Sequence, residues 1–188
     1  MGEEPVQIVL LTGPKHSGKT TAGRALAGPW GGRFIDLDDG VEKRTGKTPR
    51  TLFREGPEVF RAAEAEALAE VLESRERIVA AAGGGLADNG GAMELLKKAR
   101  NLFIVCLDVP AETAWNRILE TAAGGGLPPF LQSGNPRETH RRLHERRARV
   151  YRAIAHRVVS AGGKSPGAIA GEIMECMEYF ITGVTDES

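Results

Sequence analysis

Residues 13–20 of this chain read GPKHSGKT, which matches the pattern G-x-x-x-x-G-K-[ST] of loops that bind phosphate groups. The apolar run VQIVLL (6–11) precedes this segment and predicts a buried parallel strand, and TAGRALA (21–27) follows it and predicts a helix. Glycine lets successive backbone N–H groups converge on an anion without interference from a Cβ atom. We therefore interpret the segment as a nucleotide phosphate-binding loop; the alternative is a merely structural turn from strand to helix.

The polar residues of this loop supply what phosphate binding requires. The start of the following helix contributes the positive end of its dipole. Lys19 contributes a mobile positive charge, and the hydroxyl of Thr20 can coordinate Mg²⁺. The candidate nucleotide-binding residues of the loop are Gly13, Lys15, Ser17, Gly18, Lys19, Thr20 and Thr21.

The composition favours a small-molecule partner. The 188 residues include 25 basic and 25 acidic ones, which gives no support for coating nucleic acid or a membrane surface. No apolar stretch is long enough to span a bilayer, the first residues (MGEE) are too acidic for a secretory signal, and Cys106 and Cys176 suit a reducing compartment. We expect a single domain over residues 1–188, a monomer in the cytoplasm, with no nucleic-acid or membrane partner.

Apolar runs alternate with helical patterns along the chain, which is typical of an α/β fold with a parallel sheet. The predicted strands are 6–11, 33–36, 77–82, 102–108 and 157–160. The predicted helices are 18–27, 57–74, 91–99, 111–122, 136–155 and 165–180. Five strands with helices on both faces make a three-layer domain.

Three segments follow predicted strands at the edge where parallel sheets bind ligands. They are the phosphate loop after the first strand, DLD (36–38) after the second and GGG (83–85) after the third. A longer segment, AAGGGLPPFLQSGNP (122–136), is rich in Gly and Pro and lies between two helices. We interpret it as a lid over the bound nucleotide; the alternative is an ordinary surface connection.

One arginine occupies an apolar position on the predicted helix 136–155. Leu143, Arg147, Val150 and Ile154 fall within about 60° of one another around the helix axis, which puts Arg147 in the middle of an apolar stripe. A buried guanidinium is costly unless it meets an anion. We favour an arginine aimed into the site at a phosphate or carboxylate over an internal ion pair.

The predicted helix 57–74 carries charges on its apolar face. Glu64 lies within the face that includes Ala63 and Ala67, and Arg61 lies at its edge. The spacing of three residues puts Arg61 and Glu64 side by side, so that the glutamate can hold the guanidinium in one orientation. The alternative is a routine salt bridge on a helix.

Several segments beyond the phosphate loop form a combination that is far more specific than the loop alone. They are FIDLD (34–38), Glu42, Gly46, LFREG (52–56), Phe60-Arg61 with Glu64, GGG (83–85) and RRARVYRAIA (146–155). In order and spacing this combination resembles the shikimate kinase family, from the phosphate loop through the C-terminal helix. Members are P-loop kinases that use ATP to phosphorylate the 3-hydroxyl of shikimate, and the resemblance implies that fold and activity.

The resemblance implies roles on the nucleotide side of the site. Lys19 would contact the β- and γ-phosphates of ATP, Thr20 would coordinate Mg²⁺, and Asp36 would hold the ion through water. Asp38 would accept hydrogen bonds from substrate hydroxyls and would orient or deprotonate the attacking one. These roles agree with phosphoryl transfer, which requires mostly alignment and charge neutralisation.

The resemblance also implies an acceptor side, formed largely by about residues 37–74. Arg61 and Arg147 would clamp the shikimate carboxylate, and Gly84 would offer its backbone N–H. The implied substrate-binding residues are Asp38, Arg61, Glu64, Gly83, Gly84, Gly85 and Arg147. The implied catalytic residues are Lys19, Asp38 and Arg147.

The predicted lid departs from the family pattern, which implies one arginine just before a Pro-Leu-Leu segment and another packed on adenine. Alignment through Thr121 puts Leu127 and Glu120 at those positions, and no Lys or Arg occurs from residue 118 to 135. A cation facing the developing negative charge is worth several kcal/mol. The candidate replacements are Arg117 at the adenine, and Lys15, Arg137 or Arg141 at the transferring phosphoryl group.

Three functions are compatible with these patterns. The first is an ATP- and Mg²⁺-dependent kinase of shikimate. The second is a kinase of the same chemistry that acts on a different small hydroxy acid or polyol, with an apolar lid (127–130) that reshapes the pocket. The third is a regulatory protein that binds nucleotide or shikimate with little turnover.

Overall fold

The computed structural model describes residues 6–122, 131 and 134–182. The strands are β1 (Ile8–Thr12), β2 (Arg33–Asp36), β3 (Ile78–Ala81), β4 (Leu102–Asp108) and β5 (Arg157–Ser160). The helices are α1 (Lys19–Trp30), α2 (Leu37–Thr45), α3 (Pro49–Glu55), α4 (Pro57–Leu72), α5 (Gly90–Lys98), α6 (Ala111–Ala122), α7 (Pro136–Ile154) and α8 (Pro166–Thr182), with a 3-10 turn at Leu86–Asp88. Most of the predicted lid (122–136), including Leu127, lies outside the described residues.

The five strands form one parallel sheet in the order β2-β3-β1-β4-β5. Strand β1 lies at the centre, where Leu10 pairs with Ala80 of β3 and with Ile104 of β4. Every residue of β1 and β3 is buried, as expected for a sheet covered on both faces. The predicted α/β fold with a five-stranded parallel sheet is confirmed, and the strand limits differ from the predicted ones by no more than two residues.

Alternate residues of β1 face two hydrophobic cores. Val9 and Leu11 pack with α1 and α8 on one face of the sheet, and Ile8 and Leu10 pack with α4, α5 and α7 on the other. This alternation follows from the two-residue period of a strand. In the described part of the chain, no helix has both the length and the apolar composition that crossing a membrane requires.

Two short helices occupy the segment between β2 and α4, which the sequence pattern does not identify as helical. Their apolar period is weak, because α2 buries only Leu37 and Val41 and α3 buries only Leu52. Their starts are fixed by side-chain caps instead: Asp36 accepts from the backbone N–H of residue 38, and Thr48 accepts from that of residue 51. This segment follows β2, the edge strand of the sheet, and packs against α4.

Gly23 of α1 lies where a side chain has no room. A Cβ atom at this position would lie 2.5 Å from Cε2 of Phe34 and 3.3 Å from Cδ1 of Leu11. We expect Gly23→Ala to lower the free energy of unfolding by about 1–3 kcal/mol, because an added methyl group forces packed side chains to move. Denaturant-induced unfolding measures this change.

The matched control is Gly171 of α8, which is exposed and has no atom within 4 Å of its Cβ position. Gly171→Ala should raise the free energy of unfolding by up to about 1 kcal/mol, because alanine favours an exposed helix over glycine. Equal effects of the two substitutions would contradict the packing argument.

Candidate active site

The phosphate loop connects β1 to α1 at the carboxyl edge of the sheet, and its backbone needs glycine. Gly13 has φ 138° and approaches β4 so closely that a Cβ atom would lie 2.5 Å from the carbonyl oxygen of Leu107. Gly18 has φ 95°, and His16, with φ 62°, is the only non-glycine residue of the described chain with positive φ. The loop therefore holds a conformation that L-residues rarely adopt, which is typical of backbone arranged around a ligand.

Lys19 points into this loop. Its Nζ donates hydrogen bonds to the carbonyl oxygens of Gly13 at 3.0 Å and Pro14 at 2.9 Å, and contacts Oγ of Ser17 at 3.4 Å. The ammonium is buried among neutral partners, and burial lowers the pKa of Lys19 to about 8. A phosphate in the loop would supply the negative charge that these partners lack.

Thr20 and Asp36 are brought together as a candidate metal pair. Thr20 Oγ1 donates to Oδ2 of Asp36 at 2.8 Å, and Oδ1 of Asp36 accepts from the backbone N–H of Asp38 at 3.1 Å. A hydroxyl and a carboxylate beside a phosphate loop fit Mg²⁺, which binds through a few protein oxygens and keeps other positions for water and phosphate. Thr21 instead closes the first turn of α1, because its Oγ1 donates to O of Gly18 at 3.0 Å.

Arg117 reaches the phosphate loop from α6. Its Nη1 donates to the carbonyl oxygen of His16 at 2.8 Å. Burial, together with the charges of Lys15 and Lys19, lowers the pKa of His16 to about 4, so this imidazole is neutral beside the cations. Glu120, one turn further along α6, is exposed. Arg117 thus lies at the phosphate loop, and its contact with the nucleotide stays a prediction.

Two carboxyl groups converge on Gly83, just after β3. A Cβ atom on Gly83 would lie 2.9 Å from Oε1 of Glu64 and 3.1 Å from Oδ1 of Asp38, so only glycine leaves room for both. Burial is the main cause that raises the pKa of Asp38, and the nearby negative charge of Asp36 raises it further. Burial also raises the pKa of Glu64 to about 7, and the charge of Asp38 adds to this effect. This pocket can accept hydrogen bonds from hydroxyl groups.

The predicted pairing of Glu64 with Arg61 is wrong. Oε2 of Glu64 accepts from Nδ2 of Asn89 at 2.9 Å, and Nδ2 also donates to the backbone oxygen of Arg61 at 2.8 Å. Oε1 of Glu64 is buried without a hydrogen-bond partner, and the exposed guanidinium of Arg61 has no ion pair within the described ranges. Arg61 is exposed because its position is at the edge of the buried face of α4 and not within it.

Arg147 forms an ion pair with Asp88, the last residue of the 3-10 turn. Its Nε and Nη2 lie 3.0 and 2.8 Å from Oδ2 of Asp88, and Arg146 contacts Oδ1 at 2.7 Å. Burial alone would raise the pKa of Asp88, but these hydrogen bonds hold the pKa below its ordinary value. Nη2 of Arg147 also lies 3.5 Å from the Cβ position of Gly85, so the guanidinium borders the glycine run as well as forming an ion pair.

The apolar stripe predicted on α7 is displaced. The face that packs into the protein consists of His140, His144, Ala148 and Tyr151, whereas Leu143, Arg147, Val150 and Ile154 are only half-buried. Arg147 therefore lies at the margin of the buried face, with 19% of its side chain exposed. The buried face includes two imidazoles, of His140 and His144, which an apolar pattern does not identify.

Tyr151 connects α7 to the glycine run. Its hydroxyl accepts from the backbone N–H of Ala87 at 3.1 Å and donates to the carbonyl oxygen of Gly83 at 3.3 Å. Because the ring is fully buried, these bonds fix the position of the run relative to α7. Asp38, Glu64 and Arg147 are consequently held around one short segment of backbone.

The phosphate loop and the glycine run are in contact. A Cβ atom on Gly84 would lie 3.0 Å from the backbone N of Lys15 and 3.1 Å from its Cα. The loop that can bind phosphates is therefore adjacent to the pocket that can bind hydroxyls. A phosphate loop facing such a pocket, on this sheet, defines a P-loop kinase of small molecules.

Comparison with known proteins agrees with this class. A family model described as shikimate kinase matches residues 15–178. A curated shikimate kinase from Moorella thermoacetica is 38% identical over 182 residues, which cover 96% of this chain and 99% of the relative. One from Persephonella marina is 35% identical over 167 residues, which cover 88% of this chain and 96% of the relative. The chain belongs to the shikimate kinase family.

Solved structures of this family share the fold. A shikimate kinase from Acinetobacter baumannii in complex with shikimate superposes with a TM-score of 0.81 at 32% identity, covering 93% of this chain and 94% of that one. A shikimate kinase from Bacteroides thetaiotaomicron superposes with a TM-score of 0.77 at 29% identity, with coverages of 91% and 98%.

Sequence reasoning missed two residues that orient the site, Asp88 and Asn89. An asparagine followed by a helical pattern predicts the N-cap that Asn89 forms with the N–H of Ala92 at 3.1 Å. Nothing local predicts its second contact with Glu64, or the contact of Asp88 with Arg147, because both partners lie on other elements.

The raised pKa of Glu64 makes folding stability depend on pH. A carboxyl group whose pKa is higher in the folded than in the unfolded state stabilises the fold at a pH below its ordinary pKa. For Glu64 this contribution is lost as the pH rises through about 7, its pKa in the folded state. Relative to Glu64→Gln, the wild type should lose on the order of 3 kcal/mol of unfolding free energy between about pH 4.5 and pH 8, since one pKa unit corresponds to about 1.4 kcal/mol.

Denaturant unfolding of both proteins across this pH range measures the difference. The control is Glu73→Gln at the exposed end of α4, which should show no such trend relative to the wild type. A pH-independent difference between wild type and Glu64→Gln would mean that Glu64 has the same pKa in the folded and unfolded states.

Proposed function

We propose that this protein is a shikimate kinase, which transfers the γ-phosphoryl group of ATP to the 3-hydroxyl of shikimate with the help of Mg²⁺. The observation that carries this proposal is the contact between Lys15 of the phosphate loop and Gly84 beside the carboxylate pocket. A hydroxyl held in the pocket would lie next to phosphates held in the loop. Full-length similarity to curated shikimate kinases and to a shikimate-bound relative supports the choice of acceptor.

On the nucleotide side, the loop backbone and the first turn of α1 would bind the phosphates of ATP. Lys19 would exchange its carbonyl partners for β- and γ-phosphate oxygens. Thr20 and Asp36 would hold Mg²⁺, which neutralises charge on the phosphates when bound. Arg117, already hydrogen-bonded to the loop, would lie beside the nucleotide.

On the acceptor side, Asp38 would orient the attacking hydroxyl. Its carboxylate accepts a hydrogen bond from the 3-hydroxyl and receives that proton as the oxygen attacks the γ-phosphorus. The bond from the γ-phosphorus to the β–γ bridging oxygen breaks, and ADP leaves. The raised pKa of Asp38 favours proton acceptance, since a more basic carboxylate takes a proton more readily.

At the other end of the acceptor, Arg147 and Arg61 would bind the carboxylate of shikimate. Arg147 is positioned for this by Asp88, which accepts hydrogen bonds from Nε and Nη2 and so fixes the guanidinium beside Gly85. Bidentate geometry suits a guanidinium to a carboxylate. Glu64 would contribute its unpartnered Oε1 to a hydroxyl of the acceptor.

The direct test is ADP formation from ATP and Mg²⁺ with and without shikimate, both at saturating concentration. We expect strong shikimate-dependent turnover, and loss of it in Lys19→Ala, which removes the phosphate-binding charge. Turnover with a different hydroxy acid but not with shikimate would show that the protein is a kinase of that acid instead of shikimate. Tight ATP binding with no transfer to any acceptor would indicate a regulatory protein instead.

The ion pairs of Asp88 provide a matched test of the carboxylate end. Arg147→Ala should raise the KM for shikimate by tenfold or more and leave the KM for ATP almost unchanged, because about 1.4 kcal/mol of binding corresponds to a factor of ten. Steady-state kinetics with each substrate varied in turn measures this.

Arg146→Ala is the control, because Arg146 binds the same Asp88 but has a side chain that is 57% exposed. We expect it to change the KM for shikimate by no more than about twofold, as is usual for an exposed ion pair. Similar KM increases in the two variants would assign the effect to Asp88 rather than to contact of Arg147 with the substrate.

A further inference from the structure

The transferring phosphoryl group needs a cation on its outer side, and the chain supplies none between residues 118 and 135. Charge spreads over the equatorial oxygens of this group in the transition state, and cations that face them lower the barrier. The cation must therefore come from another element that borders both the phosphate loop and the acceptor pocket.

Most cations around the site are already held by other groups. Lys19 donates to carbonyl oxygens inside the loop, and Arg117 donates to the carbonyl oxygen of His16. Arg137 pairs with Glu112 at 2.7 Å. Arg141 binds Glu138 and Glu145, and Arg147 binds Asp88. The ion pairs of Arg137 and Arg141 lie on the exposed surface of the protein. Turning either guanidinium inward would break its ion pairs.

Lys15 differs from all of these, and it differs from the exposed Arg61 of α4 because it lies in the phosphate loop itself. Its side chain is exposed and makes no hydrogen bond or ion pair in the part of the chain that the structure describes. Its backbone, in contrast, is closely packed, because N, Cα and Cβ lie 3.0, 3.1 and 3.1 Å from the Cβ position of Gly84. The anchored backbone limits where the ammonium of Lys15 can lie. Because the ammonium is unpaired, it can bind an anionic ligand without first losing another partner.

The charge of Lys15 acts on both halves of the site. It disfavours the protonated state of Lys19, on the phosphate side. It favours the ionised state of Asp38, on the acceptor side. Lys15 is therefore close to the residues between which a phosphoryl group would pass.

We infer that Lys15 is a catalytic residue whose ammonium binds the non-bridging oxygens of the phosphoryl group during transfer, in place of a cation from segment 118–135. This assignment rests on the proposed kinase function. Lys15 keeps its proton throughout; the bond that forms is from the acceptor oxygen to the γ-phosphorus, and the bond that breaks releases ADP. Its role is electrostatic and operates most strongly in the transition state.

The test is Lys15→Met, which preserves the length and shape of the stem and removes only the charge. We expect kcat for shikimate-dependent ADP formation to fall by about 100-fold, with small changes in the KM for either substrate, because the lost contact forms mainly in the transition state. Lys15→Arg should lose much less. Lys97→Met, which removes an exposed lysine paired with Glu94 on α5, is the control and should match the wild type.

Chemical rescue separates a charge effect from a structural one. Aminoethylation of Lys15→Cys rebuilds a lysine-like ammonium and should raise kcat by about tenfold or more, whereas the unmodified Cys variant should resemble Lys15→Met. The wild type treated in the same way controls for Cys106, which is buried, and Cys176, which is half-buried.

The outcomes distinguish this assignment from the proposed function. Wild-type turnover with shikimate together with unchanged kcat in Lys15→Met would overturn the role of Lys15 and leave the kinase intact. A low kcat that aminoethylation does not restore would also overturn it, because the defect would then lie in loop packing. Absence of wild-type turnover with shikimate would overturn the proposed function and this assignment together.

Discussion

Two backbone segments meet without a side chain between them, and the whole site depends on that close approach. The glycine run after β3 lies against the phosphate loop after β1, where Gly84 packs on the backbone of Lys15. Gly83 leaves room for two carboxyl groups on the other side of the run. A Cβ atom at Gly84 would press on the backbone of Lys15, and one at Gly83 would press on the carboxyl groups of Glu64 and Asp38. Phosphoryl transfer depends on alignment of two reactants, so this spacing matters more than any single polar contact.

The same approach concentrates opposite charges within a small region. Asp36, Asp38 and Glu64 lie on one side of the contact, and Lys15 and Lys19 lie on the other. Burial and like charge raise the pKa values of Asp38 and Glu64, and burial lowers that of Lys19. Each pKa shift shows that the protein alone does not fully offset the cost of burying the charged form of the side chain. A phosphate, a metal ion and a hydroxy acid would supply it, so the binding of ligands relieves a cost that folding imposes.

Local patterns predicted the sheet and the loop well, and failed where the apolar period is weak or a side chain is ambiguous. The strands β1, β3 and β4 are runs of almost entirely apolar residues, so their positions are clear from the sequence. Helices α2 and α3 bury three residues between them and were missed. The face of α7 was displaced because His140 and His144 are buried despite their polarity. In each case, burial was decided by neighbouring elements and not by residue type.

The sequence by itself determined the class of fold, the phosphate loop and the identity of most polar residues at the carboxyl edge of the sheet. These follow from glycine positions and apolar runs, which act over a few residues. The tertiary structure alone decided which partner each charge has. Glu64 binds Asn89, 25 residues away, instead of Arg61, and Arg147 binds Asp88, 59 residues away. Such pairs depend on how helices pack against the sheet, because packing sets the distance between side chains that the local chain cannot bring together.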